Sequence, residues 1–544
     1  MNTLEEQLRL LRSQSNMPTA VEDAGLDQPA VEYILGNEIK KDSFGVIEEE
    51  HKTLVRGLEW RRHRVAWTDA ADESEQGLCV NVIRLQPGSD ATIQADCAFT
   101  QPGLVDFEAV ENAYWQTIWA SGAIRVARGT KHPRLFLNTR ELTCAKEGAP
   151  RGPWEDLAEL QRHIEDGNWN PNYVDLTPTL LPKLTESNEG ELKVARYLPA
   201  YPPSSSVQAD SNVLVATNAG YFLNFPEEYE DGVSALHQPL GALYSKGQLH
   251  MPSWITRPCA LEWEDGVRGM ELLGPENMAL SVENYPAFSL TLGTRSPHAL
   301  ATVWRHFDGP IPESVDADDA VDLVFSGAGL VRIAYPGTNT PPLGGAIIRL
   351  KGAVASPWRT FLIEPKATKF PRYTLRLRTS RNKELSFVMA AGPSLLHDGH
   401  LLNEDLMFSP LAAGEFRPNG PAPTRFPYDA TKTRAPRTAL GLTPQEEWVL
   451  LVVDGRADPT HSVGCTLEEL ARLMQRMGCY RAINFDGGGS SVMAIEGLRQ
   501  IDQLKPGLTS TVANIPSDHG NRERIVPVCI NIVRKKLTPQ ERSY

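Results

Sequence analysis

Six apolar residues in a row, Trp448–Val453 (WVLLVV), run straight into Asp454, Gly455 and Arg456. An apolar run with no polar alternation is what a strand covered on both faces requires. A helix follows: Thr466 and Glu469 are spaced as a capping box, Leu467, Leu470, Leu473, Met474 and Met477 form one apolar stripe, and Gly478 stops it. Residues 480–485 return as a second strand. Strand, helix and strand joined by short connections make a right-handed crossover, which sets the two strands parallel in one sheet. Asp454 and Asp486 then share one sheet edge, at the carboxyl ends of the strands where ligands of such sheets collect.

The second of these strands drives into residues 482–493 (AINFDGGGSSVM), where Asp486 precedes Gly487, Gly488, Gly489 and Ser490. Glycines leave backbone N–H groups unshielded by any Cβ, beside an acid, a geometry suited to an anionic or sugar ligand. A plain turn is the alternative reading of a glycine triplet. The stretch lacks the GK[ST] ending of a nucleotide-binding loop and the spacing of the dinucleotide fingerprint, which argues against nucleotide binding at a helix N-terminus. The two acids with Arg456 are therefore the candidate reaction centre.

Further blocks share the order of a known family. These are TNAGYF at 217–222, AGPSLLHDGH at 391–400, RTALG at 437–441, VDGR at 453–456, DGGGS at 486–490 and PSDH at 516–519. Together they resemble the phosphodiester glycosidases over roughly residues 180–535. The resemblance implies hydrolysis of a sugar joined through its anomeric carbon to a phosphodiester, giving free sugar and a phosphomonoester. An ordinary glycosidase must protonate a poor leaving group, but a phosphomonoester has a second pKa near ~6 and leaves readily if its charge is met by cations and N–H donors. Arg437 and Arg456 are the expected phosphate ligands, because guanidinium forks match phosphate oxygens. Gly487, Gly488, Gly489 and Ser490 are expected to add donors. Asp486 is the first choice for the catalytic carboxylate, Asp454 the second, with an Asx-type turn as its alternative role. His519, after Asp518 in the PSDH block, is the expected proton donor to the departing phosphate. Asn218 and Gly220 are expected to line the sugar pocket, with Tyr221 and Phe222 either core or stacking platform. Two other readings stay open: a phosphodiesterase cutting the P–O bond, and a non-catalytic sugar-phosphate binding module.

The fold class expected is α+β, a mixed-sheet catalytic domain over residues 181–544 with a βαβ unit near its C-terminus, preceded by an α+β accessory domain over residues 1–180. In that first part a helix capped by Thr3 and Glu6 and another over about residues 107–120 are predicted, but no functional motif. Residues 415–436 form a proline-rich loop whose place beside Arg437 suggests a lid. The arginine-rich segment 372–381 reads as a half-exposed strand. Hydrophobic residues make up 41% of the chain and charged ones 22%, enough for a large core, and the net charge of −14 supplies no basic footprint for nucleic acid. No stretch reaches about 18 apolar residues, so no membrane span is expected. Seven cysteines without CxxC spacing suit a reducing compartment, and acidic residues stand where a signal peptide needs a basic and then apolar run, so a cytoplasmic protein is expected. Asp454, Asp486 and Asp518 do not demand a cation by their spacing, and neither metal nor cofactor is expected. The expected partner is a small glycosyl phosphodiester, and a homo-oligomer is left open.

Overall fold

The computed structural model describes residues 44–68, 75–97, 123–126, 134–138, 174–175, 193–197, 202–223, 235–236, 238–309, 311, 319–337, 339–364, 371–415, 433–498, 511–517, 523–524 and 526–535. The two helices expected before residue 121, residues 416–432 of the proline-rich loop, and Asp518 and His519 lie outside these residues.

The strands that build the site are, in chain order, β1 (Phe44–Val55), β2 (Leu58–Thr68), β3 (Glu75–Leu85), β4 (Ala91–Cys97), β5 (Val213–Asn218), β6 (Arg257–Trp263), β7 (Leu385–Ala390), β8 (Ser394–His397), β9 (His400–Leu401), β10 (Arg437–Leu442), β11 (Trp448–Val453), β12 (Arg481–Asn484), β13 (Met493–Ile495) and β14 (Val528–Arg534). Eight of them form the main sheet, in the order β1-β2-β3-β11-β10-β12-β8-β9. Every neighbouring pair in it is antiparallel. A second antiparallel sheet has the order β13-β5-β14-β4.

The unbroken apolar run of β11 is explained by what lies on either side. Trp448, Leu450 and Val452 pack with Leu440, Ile483 and Phe485 and with Ile93, Val215, Met493, Ile530 and Ile532 of the second sheet. Val449, Leu451 and Val453 face the other way, into a cluster with Leu470, Leu473 and Met474 of the helix α1 (Leu467–Arg476). Every residue of β11 is buried. Fully burying one leucine is worth about 1.5–3 kcal/mol, so this strand has little freedom to sit anywhere but between two covering layers. The helix begins where the capping box predicts: Thr466 Oγ1 accepts from Glu469 N at 3.2 Å, and Glu469 Oε2 accepts from Thr466 N at 2.9 Å. Gly478, at φ 84°, ends it.

The expected crossover exists with one change. β11 and β12 run parallel and finish at the same edge, but β10 lies between them, antiparallel to both. The cause is local: β10 and β11 form a hairpin closed by Thr443 N to Glu447 O at 3.0 Å, so the slot beside β11 is filled before the helix returns the chain. The main sheet is thus antiparallel rather than mixed. Parallel pairing occurs elsewhere, between Thr291–Leu292 and Ala301–Trp304 and between Arg134–Asn138 and Lys193–Tyr197. The arginine-rich segment does form a strand, Tyr373–Leu377, whose residues alternate between half-buried and exposed.

The boundary expected near residue 180 is not a boundary of hydrogen bonding. β3 zips onto β11 from Trp448↔Leu85 to Val453↔Val80, and β4 onto β14 from Val528↔Cys97 to Arg534↔Ala91. Residues 44–97 therefore complete both sheets that carry the C-terminal blocks. Among the described residues no helix is long and apolar enough to cross a membrane, and six cysteines are free thiols.

Removing residues 1–180 would strip β11 and β14 of one partner each, β3 and β4, and leave two apolar edges open. A 181–544 fragment is expected to aggregate when expressed alone; a soluble fragment that unfolds cooperatively in urea would contradict the pairing.

Candidate functional site

The N-terminal end of β10 sits between the C-terminal ends of β11 and β12, with Arg437 opposite Val453 and Ala439 opposite Asn484. Beyond β12 the ladder continues, Phe485 N donating to Thr438 O at 2.8 Å and Gly488 N to Pro436 O at 2.9 Å, before the chain turns through the short 3₁₀ segment Gly488–Ser490. Glycine is required here. Gly488 has φ 60°, and a Cβ on Gly487 would sit 3.0 Å from Pro436 O. The turn also consumes its own donors: Gly487 N goes to Asp486 Oδ1 at 3.0 Å, Gly488 N to Pro436 O, and Ser490 N to Gly487 O at 3.2 Å. The expectation that Gly487, Gly488 and Ser490 offer backbone N–H groups to a ligand is corrected accordingly. They shape the turn that holds Asp486.

Asp486 is only partly buried, and its surroundings are mostly cationic or polar. Burial raises its carboxyl above the ordinary carboxylate range, while the Ser490 hydroxyl, the charge of Arg524, the Gly487 N–H and the charge of Arg257 oppose that rise. Arg524 Nη1 also donates to Ser490 Oγ at 3.3 Å. Arg257, the first residue of β6, is 1% exposed, donates to Ala391 O at 3.0 Å and Leu240 O at 3.1 Å, and stacks over the Tyr221 ring at 5.0 Å. Burial brings it down to about 10, which still leaves it charged at neutral pH. The Tyr221 hydroxyl accepts from Asn484 Nδ2 at 2.6 Å and is pushed up, first by burial and then by the charge of Asp486. Arg257 and Arg524 escaped sequence reading. Arg257 stands in no family block, and Arg524 lies five residues past the last one.

Asn218 sits at the site without facing an open pocket, whereas Gly220 is half-buried and lines a small cavity with Tyr221, Leu240 and Ala390. Asn218 is fully buried; its Nδ2 donates to Asp486 O at 2.6 Å, and its Oδ1 accepts from Thr438 Oγ1 at 2.9 Å and Val492 N at 3.2 Å. One amide thus fixes the Asp486 backbone, β10 and the start of β13. A Cβ at Gly220 would fall 2.2 Å from Ala390 O, so this glycine lets the end of β5 press against β7.

The two sequence-predicted arginines differ in what their side chains meet. Arg437 is 4% exposed and spends Nε on Cys465 O at 3.1 Å and Nη2 on Thr433 O at 2.9 Å. Burial lowers its pKa. Arg456 is exposed, with φ 63°, and its Nη1 lies 3.4 Å from where a Cβ on Gly488 would stand. Of the pair, Arg456 is the cation presented to solvent beside the Asp486 turn.

Asp454 reaches the same edge with partners of its own. Val453 points toward α1, so the next side chain points to the opposite face of the sheet. There Asp454, 1% exposed, has Oδ2 at 3.2 Å from His461 Nε2, and Oδ1 accepts from Ile515 N at 3.1 Å. The two carboxylates thus have different hydrogen-bond partners, and their expected pairing in one site rests on the shared strand edge alone. A through-bond link remains, because Asn514, next to Ile515, donates to Ser491 O at 3.0 Å and accepts from Met493 N at 2.8 Å. Asp518 and His519 belong to the part of the chain outside the described residues.

Among curated proteins none matches this chain. Three solved structures align with it at low identity. A hypothetical protein from Synechocystis matches at 14% identity and a TM-score of 0.40, over 88% of this chain and 62% of its own, so this chain spans under two thirds of it. A putative exported protein from Burkholderia pseudomallei matches at 18% and 0.42, over 94% of this chain and 100% of its own. The catalytic domain of zebrafish N-acetylglucosamine-1-phosphodiester alpha-N-acetylglucosaminidase, auto-inhibited by its pro-peptide, matches at 11% and 0.36, over 90% of this chain and 89% of its own. Residues 335–533, which hold Arg437, Asp454, Arg456, Asp486 and the glycine turn, match the model of the phosphodiester glycosidase family, and the chain carries a domain of that family there.

Proposed function

We propose that this chain hydrolyses the glycosidic C–O bond of a sugar-1-phosphodiester, releasing free sugar and a phosphomonoester. The observation that carries the reading is Asp486: a partly exposed carboxylate with a raised titration, held among Arg257, Arg524 and Ser490, with the exposed Arg456 beside the glycine turn. A departing phosphomonoester bears most of the new negative charge, and guanidinium groups meet it better than a general acid would. The sugar left behind carries positive charge at its anomeric carbon, which an ionised Asp486 opposes, whether by attack, by activating water or through space. One carboxylate is then sufficient, and Asp454 serves to fix the segment through Ile515. Arg437 acts from behind, tying residues 433 and 465 together so that β10 starts where the turn needs it.

Turnover of a panel of sugar-1-phosphodiesters, nucleotide sugars included, in water enriched in heavy oxygen identifies the bond cut. Label is expected in the sugar hydroxyl; label in the phosphate would make the protein a phosphodiesterase, and no turnover of any member would favour a binding module.

Asp486→Asn is expected to lower kcat by roughly 10²- to 10⁴-fold with KM little changed. The acid limb of the wild-type kcat/KM profile should lie above the usual ~3.9 of an aspartate. Equal turnover by wild type and variant would remove Asp486 from catalysis.

The same shift predicts a stability signature. Because the folded carboxyl titrates above its unfolded value, its contribution is full below the unfolded pKa and is lost as pH rises through the folded one. The Tm of wild type relative to Asp486→Asn should therefore fall between acid pH and neutrality; a difference independent of pH would contradict the raised titration.

A further inference from the structure

Behind the glycine turn, on the face of the main sheet away from α1, the side chains of Cys79, Asp454 and His461 converge. Their donor atoms all lie within 4.8 Å of one another. They come from three separate segments: Cys79 from β3, Asp454 from the end of β11, and His461 from the loop that follows. Backbone contacts pin those segments independently of the donors. Asp454 N donates to Cys79 O at 3.0 Å, Val463 N to Gly77 O at 2.9 Å, Ser462 Oγ to Asp454 O at 2.7 Å, and Cys79 N to Ser462 Oγ at 3.1 Å. The fold thus holds the three donor segments together, and the donors also contact one another, His461 Nε2 lying 3.2 Å from Asp454 Oδ2.

We propose that Cys79, Asp454 and His461 bind a divalent transition-metal ion of the zinc class, through one thiolate, one carboxylate oxygen and one imidazole nitrogen. These are the ligand types such an ion takes, with a fourth position left for water or another ligand. The one distance between ligand atoms that can be compared directly fits: ligands about 2.0 Å from a tetrahedral ion stand about 3.3 Å apart, and His461 Nε2 is 3.2 Å from Asp454 Oδ2. The other carboxylate oxygen is already oriented by the Ile515 N–H, the kind of outer hydrogen bond that fixes a metal-binding carboxylate. Access is through His461, whose side chain is 14% exposed against 2% for Asp454.

A thiolate and a carboxylate would neutralise a bound divalent ion. Without one, burial and then the charge of Asp454 hold the Cys79 thiol well above its ordinary range, against the smaller opposing charges of Arg62 and Arg64. Arg62 is itself engaged with Glu50 at 3.0 Å and Ala513 O. The site differs from the aspartate set considered from sequence, since it draws on a cysteine 375 residues before Asp454 in the chain. An ion here would brace the segment carrying Arg456, but the site does not depend on the proposed hydrolysis.

The test is cobalt(II) titration of the chelator-treated full chain, followed by absorption without substrate. Stoichiometric binding with a near-ultraviolet thiolate-to-cobalt charge-transfer band and tetrahedral visible bands is expected. Cys79→Ser should lose the charge-transfer band with the circular dichroism unchanged, and His461→Ala should weaken binding by more than about tenfold. Wild-type protein that takes up no cobalt, or takes it up without a thiolate band, overturns the proposal whether or not either variant folds.

Discussion

The register of β10 between β11 and β12 governs the rest of the structure. Because β10 is antiparallel to both, its first residues meet the last residues of two strands at one edge. Arg437, the Asp454–Arg456 segment and the Asp486 turn are thereby brought together, although the chain separates them by up to 49 residues. A slip of one residue would send every side chain of β10 to the wrong face, placing Leu440 and Leu442 among the α1 contacts and Arg437 in the inter-sheet core. Burial of both faces forbids that slip, so the hydrophobic pattern of three short strands sets the position of the polar groups.

Around Asp486 the buried polar groups divide into those that hold and those that face outward. Arg257 and Arg437 are buried and spend their guanidinium groups on backbone carbonyls of neighbouring segments, and buried Asn218 donates to Asp486 O while accepting from Thr438 Oγ1 and Val492 N. Such bonds to a charged guanidinium are worth about 1.5–3 kcal/mol each, and their loss would leave buried groups unpaired. Arg456 and Arg524 lie nearer solvent. The division explains how one edge can carry several guanidinium groups beside a single carboxylate in a chain of net charge −14: part of the positive charge is structural.

Local features were legible in the sequence wherever a short-range rule decides them. The capping box at Thr466, the stop at Gly478, the doubly buried β11, the half-exposed arginine strand and the shared edge of Asp454 and Asp486 all follow from spacing and periodicity. What escaped was set by distant pairing. β3 joins β11 across more than 360 residues, and nothing in residues 44–97 marks them as partners of the C-terminal strands. The side on which Asp454 emerges depends on strand parity and on β10 filling the adjacent slot, neither of which a crossover motif specifies. Arg257 was hidden because its role arises from a stack on Tyr221 formed only after β6 and β7 pair. The convergence of Cys79, Asp454 and His461 is illegible in the sequence because the sheet, not spacing along the chain, brings these side chains together.

The most direct measurement is the crystal structure of the full chain with a non-hydrolysable sugar phosphonate diester bound. The anomeric carbon is expected against the Asp486 carboxylate, with the phosphonate oxygens on Arg456 and Arg524. A ligand seated away from Asp486, or one whose phosphonate meets no guanidinium at this edge, would contradict the central claim that the β10 register builds the reaction site.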